Sequence, residues 1–129
     1  MSQENVERVR RTLGHFMEAG EPLWEVIDDE IEVYDHDIPD RGEYVGQAGF
    51  VRWLQDWGEP WADWSVHPQE FLDAGDKVVA FLRMKATGHS GVSVERDDAI
   101  VYTLRDNLVV RIDYYNNRPQ ALEAVGLSE

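Results

Sequence analysis

The residues of this chain whose types and spacing could do chemistry are carboxylates set at the ends of apolar runs. The stretch from Glu32 to Gly46, EVYDHDIPDRGEYVG, holds five acidic residues, one histidine and two tyrosines. Within it Ile31, Val33 and Asp35 alternate with Glu32, Tyr34 and His36, the period-two pattern of a half-buried strand. Asp35 therefore ends the inward face of a strand. A carboxylate there could serve as a general base. The same side chain could instead cap the turn that follows, a common use of aspartate. A metal reading of Asp35, His36, Asp37 and Asp40 fails on geometry, because alternation turns His36 away from Asp35 and Asp37. The four histidines, at 15, 36, 67 and 89, are scattered, so no metal is expected.

Asp98 shares strand parity with Ile100, Tyr102 and Leu104. A carboxyl in an apolar cavity has its pKa raised and could stay protonated as a donor, and Tyr102 could be a second donor. Both have plainer alternatives: a salt bridge from Asp98 to Arg83 or Arg96, and a core aromatic role for Tyr102 with its hydroxyl satisfied. On the last apolar run, parity with Ile112 points Tyr114 and Asn116 inward and Asp113 and Tyr115 outward. A one-residue bulge would reverse this. Trp53 and Trp57 stand four apart with Phe50 near them, as core packing or as an aromatic wall for a planar, hydrophobic, largely neutral ligand. Without cysteine there can be no disulfide, thiolate zinc site or cysteine nucleophile. Walker-type, dinucleotide-glycine and nucleophile-elbow patterns are also missing.

These side chains need elements to hold them. Ser2 is a fitting N-cap for a helix carrying Val6, Val9, Leu13, Phe16 and Met17 at helical spacing, with Gly20 as its stop. Pro22 opens a second short helix with Leu23, Trp24, Val26 and Ile27 on one face, and Phe50, Trp53, Leu54 and Trp57 mark a third that ends at Gly58 and Pro60. Strand signals follow over 63–72 and 77–88, in VSVERDDAIVYTL and in LVVRIDYYNN, separated by turns at Gly75-Asp76, His89 to Gly91 and Arg105 to Asn107. Helices followed by an antiparallel meander make an α+β order in one domain over 1–129. Val78, Ala80, Leu82 and Met84 oppose Val79 and Phe81, so both faces of that strand begin apolar; the outer one is expected to meet a partner subunit.

The formal charge of −14 and pI near 4.5 argue against nucleic acid and anionic membrane surfaces, which need clustered Lys and Arg. No window approaches a membrane span and MSQENVERVRR is too polar for a secretory segment, so a cytoplasmic protein is expected.

SQENVERVRR, YDHDIPDRGEYVGQAGFVRWL, YTLRDNLVVRI and NNRPQALEAVGL together resemble SnoaL-like proteins of the nuclear transport factor 2-like superfamily. The resemblance implies a cone-shaped, curved antiparallel sheet wrapped around three N-terminal helices, with a pocket at one end and the outer sheet face buried in a homodimer. It implies cofactor-independent isomerase, cyclase or lyase chemistry on a small hydrophobic carbonyl compound, or else a non-catalytic small-molecule-binding or dimerisation module. Asp35 falls where ketosteroid isomerases carry their base, with Asp98, Tyr102 and Tyr114 as donors, and the resemblance keeps Asp113 in reserve, because other members of the superfamily place an acidic residue in the pocket near it. The isomerase tyrosine and acidic donor correspond to Leu13 and Ile100, a departure from that chemistry. Expected pocket residues are Leu13, Phe16, Val33, Trp53, Trp57, Met84, Ile100, Ile112 and Asn116. Epoxide hydrolysis needs an Asp-Arg-Asp set across neighbouring strands, and Arg83 and Lys85 stand where the Arg-x-Asp half is sought.

Overall fold

In the computed structural model, which describes residues 2–37 and 43–127, six strands form one curved mixed sheet with helices packed on both faces. Helix α1 runs Ser2–Ala19, and its apolar stripe places Val6, Val9 and Leu13 in the core. Gly20, at φ 76°, ends it in the left-handed conformation that favours glycine, donating its N–H to the Phe16 carbonyl at 2.8 Å.

The helix expected from Pro22 onward is a single 3-10 turn, Trp24–Val26, and strand β1 begins at once, Ile27–Asp35. The apolar spacing of Leu23, Trp24, Val26 and Ile27 suits a helix, but Ile27 pairs with Val109 on the last strand, and tertiary pairing outweighs the local pattern. A register shift between Ile27 and Glu32 absorbs the acidic residues in between. The short strand β2, Glu43–Val45, lies antiparallel to β1 and leads directly into helix α2, Gly46–Gly58. Gly46 makes that junction at φ 78°. Most of the polar turn expected between these elements, including Asp40, lies outside the described residues.

The meander follows as β3 (Trp61–Ala74), β4 (Lys77–Gly88), β5 (Ser93–Arg105) and β6 (Leu108–Tyr115). The β5–β6 turn carries both central residues in the left-handed region, Asp106 at φ 53° and Asn107 at φ 69°, a geometry whose twist suits a two-residue hairpin. Sheet order is β2-β1-β6-β5-β4-β3. Every pairing is antiparallel except β1 with β6, which is parallel, so the α+β expectation holds with a mixed sheet closing on its first strand.

Alternation along the strands makes two cores. Val78, Ala80 and Leu82 of β4, Ile100, Tyr102 and Leu104 of β5, and Ile112 and Tyr114 of β6 face α1 and α2. On the other face Val79, Phe81, Ala99 and Val101 pack against Ala121 and Leu122 of α3, the C-terminal helix Arg118–Ala124. The tail that the sequence left between helical turns and fraying is thus an ordered cover. It is started by Asn117, whose side-chain oxygen accepts from the Gln120 N–H at 2.9 Å, and Arg118 lies 4.0 Å over the Phe81 ring. The outer apolar face is buried by the chain's own tail, which removes the packing argument for a partner subunit there.

Candidate functional site

Strand parity brings Asp98, Ile100 and Tyr102 of β5 and Ile112 and Tyr114 of β6 onto the inner face. Register pairs Ile100 with Tyr114, which leaves Asp98 one inward position along and diagonal to the tyrosine, within reach of its long side chain. The Tyr114 hydroxyl donates to Asp98 Oδ2 at 2.6 Å and accepts from Arg96 Nη2 at 2.8 Å and from Trp57 Nε1 at 3.2 Å. Arg96 Nε also donates to Asp98 Oδ1 at 2.8 Å. Asp98 is only 2% exposed. Burial pushes its carboxyl above the ordinary aspartate value of 3.8, against the opposing pull of the hydrogen bonds from Tyr114 and Arg96. Burial, and then the neighbouring Asp98 charge, raises the Tyr114 phenol as well.

Beside this group lies an almost wholly apolar cavity of about 70 Å³. Its walls include Leu13, Phe16, Trp53, Trp57, Ile100 and Ile112 as expected, together with Asp98, Tyr102 and Tyr114. Tyr102 is 4% exposed and its hydroxyl has no hydrogen-bond partner among the described residues. Burial alone raises its pKa. Three expected pocket residues are elsewhere. Val33 and Met84 are fully buried away from the cavity, and Asn116 turns to the Asp37 side chain at the end of β1.

Asp35 is inward and 2% exposed, but it does not reach the cavity wall. Its Oδ2 accepts from Trp53 Nε1 at 2.8 Å and its Oδ1 from the Asp37 N–H at 2.9 Å. The second contact is the turn-capping role that competed with catalysis for this residue. Burial raises its pKa above the ordinary 3.8 despite both bonds. The Trp53 ring bridges Asp35 and Tyr114: its indole N–H holds Asp35 while its ring meets Tyr114 edge-on, 5.8 Å between centroids. Asp35 thus reaches the site through Trp53 and through its strand pairing with Tyr114.

Asp113, the reserve candidate, faces the opposite side of the sheet, since β6 runs without a bulge from Arg111 to Tyr115. Arg111 grips it through Nε at 2.8 Å and Nη2 at 3.0 Å, and His36 Nε2 stands 2.8 Å from its Oδ1. His36 in turn stacks on Tyr115 at 4.4 Å. Alternation had turned His36 away from Asp35, and this outer cluster is where it goes.

Sequence reasoning missed Arg96 as a site residue and placed it only among possible salt-bridge partners of Asp98. The signal was available: Arg96 and Asp98 are two apart on one strand and so share a face. The Arg-x-Asp spacing is met here, at Arg96 to Asp98 on β5, and not on β4, where Arg83 is occupied by Glu95 at 2.6 Å and Asp97 at 2.8 Å. The second carboxylate of an Asp-Arg-Asp set is missing from the cavity wall among the described residues, because Tyr114 stands there and Asp113 faces away. Thr12 and Trp64 are further wall residues that the sequence did not single out.

A curved sheet around helices, with a buried acid and tyrosine beside an apolar cavity and a half-buried arginine against them, is the nuclear transport factor 2-like fold. Residues 9–112 match the SnoaL-like domain family, and the chain belongs to it. Among solved structures of the same fold, TerC co-crystallised with polyporic acid is 21% identical, with TM-score 0.75 over 94% of this chain and 97% of that one. An NTF2-like protein from Burkholderia xenovorans LB400 is 26% identical, with TM-score 0.72 over 89% and 90%. A candidate SnoaL-like polyketide cyclase from Jannaschia sp. CCS1 is 16% identical, with TM-score 0.70 over 95% and 94%. No curated protein matches the chain in sequence.

Proposed function

We propose that the cavity takes a small hydrophobic carbonyl compound and that Asp98 carries out cofactor-independent acid/base chemistry on it, of isomerase, cyclase or lyase type. The observation that carries this reading is the 2.6 Å bond from Tyr114 to a carboxyl buried on an otherwise apolar wall. Burying such a group costs more than an apolar replacement would, so a role beyond packing is its best explanation.

In this reading Asp98 accepts the proton as a C–H bond next to the carbonyl breaks. The electron pair moves onto the carbonyl oxygen, where the unengaged Tyr102 hydroxyl donates to the developing negative charge. The enolate then regains the proton at another carbon, attacks a second carbonyl, or expels a leaving group. Tyr114 orients Asp98, and Asp35 acts as a positioning residue by fixing Trp53. A ring-sized ligand is larger than the resting 70 Å³ space, so the partly exposed Trp57 and Trp64 give way to admit it. The polyporic acid in the TerC structure supports a small organic ligand for this fold.

The test is hydrogen–deuterium exchange at the acidic carbons of 2-tetralone in deuterated buffer. Wild type should exceed the buffer rate, Asp98→Asn should fall to it, and Tyr102→Phe should lose roughly 10²- to 10³-fold. Exchange undiminished in Asp98→Asn sinks the assignment. A second reading, a non-catalytic binder, is favoured by the narrow cavity and by the Asp98, Asp35 and Tyr114 oxygens all being engaged within the chain. Saturable binding of the ketone with no exchange would establish it. Pairing of two copies rests on the family resemblance alone, now that α3 covers the outer face. A single species near the chain mass of 14.9 kDa in sedimentation at micromolar concentration would end that proposal.

A further inference from the structure

We propose that Arg96 is a positioning residue that holds Asp98 in its proton-accepting form and aligns Tyr114, so that its loss converts the same carboxyl into a proton donor. This rests on the reading of Asp98 as the base. One guanidinium touches both partners, with Nε 2.8 Å from Asp98 Oδ1 and Nη2 2.8 Å from the Tyr114 oxygen. A planar fork can set two neighbouring groups at once, which a lysine ammonium does not.

The charges around Asp98 make the case. From β6 comes Tyr114, from the end of β1 comes the negative Asp37, and from β5 itself comes Arg96, the cation paired with it. α1, α2 and β4 bring uncharged side chains to the same cavity: Thr12, Trp57 and Leu82. A carboxylate in such surroundings takes up a proton unless a positive charge sits against it. The Asp98 side chain is 1% exposed while that of Arg96 is 28% exposed, so the counter-charge is open to solvent although the acid is not. Arg96 Nη1 has no partner among the described residues. An anionic group arriving from solvent therefore has a free edge of the guanidinium to compete for, which would loosen its hold on Asp98.

The experiment is a pH titration of the intact chain with ¹³C-carboxyl-labelled aspartate, the Asp98 signal being identified by its loss in Asp98→Asn. Arg96→Met should raise the Asp98 midpoint by about one to three pH units, with Arg96→Lys shifting it by less than half as much. A midpoint that moves by less than about half a unit in folded Arg96→Met overturns the proposal. Should Arg96→Met fail to fold, the double variant Asp98→Asn/Arg96→Met decides. Its folding shows that the unpaired charge was the fault and supports the proposal, whereas its failure shows a packing role and overturns it. No substrate is needed, so this outcome stands apart from that of the exchange experiment.

Discussion

Asp98 and Asp35 are buried acids whose carboxyls titrate above the ordinary value, with burial the leading cause in each. The unfolded chain gives up these protons first, at about pH 3.8, so each group favours the folded state most below that pH and loses its contribution as pH rises through the folded value. Asp35→Asn and Asp98→Asn should therefore compare better with wild type at pH 7 than at pH 4, as read from urea midpoints. A constant difference across that range would refute this. Trp53→Phe removes the donor to Asp35 Oδ2 and should cost about 1–3 kcal/mol at pH 7, with a smaller loss in acid. Parity alone placed Asp98, Tyr102 and Tyr114 inward and Asp113 outward, since a strand has only two faces. It could not show which inward groups border open space. Asp35 has the right parity yet is sealed off by Trp53, and Arg96 escaped notice because salt bridging and site building were read as competing roles.

The C-terminal helix is the element that the sequence described least well. Its seven residues, RPQALEA, are too few to be helical alone in water, and its order comes from Leu122 and Ala121 meeting Val79, Phe81, Ala99 and Val101. Asn117→Ala removes its cap and should cost about 1 kcal/mol in denaturant unfolding. Removing residues 117–129 uncovers the four-residue apolar patch and should make the chain self-associate, a change visible in sedimentation. A truncated chain that stayed in the same assembly state as the full one would contradict this covering role. The first helix, the aromatic helix α2 and strand β4 were legible because each carries a long single period, whereas β3, whose register shifts twice, was legible from the turns that bound it. The segment after Pro22 was not, because apolar residues at 23, 24, 26 and 27 suit a helix as well as a strand and only the pairing with Val109 decides between them.

At the scale of the whole molecule, the net charge of −14 acts on a chain of only 129 residues, and self-repulsion works against the compact state. Raising sodium chloride from about 0.01 M to 0.15 M shortens the screening length from roughly 30 to 8 Å and should raise the melting temperature. A melting temperature that falls with salt would show that ion pairs such as Arg118 with Glu70, 3.0 Å apart, outweigh the repulsion. The five tryptophans all lie between residues 24 and 64, and two of them point their ring nitrogens at different ionisable neighbours: Trp53 at Asp35, Trp57 at Tyr114. Their indole protons resonate apart from the backbone amides in a nitrogen–proton spectrum. The protein thus carries two native reporters, one on the Asp35 carboxyl and one on the Tyr114 hydroxyl, that would show which of the two groups feels a bound molecule before any substrate is known.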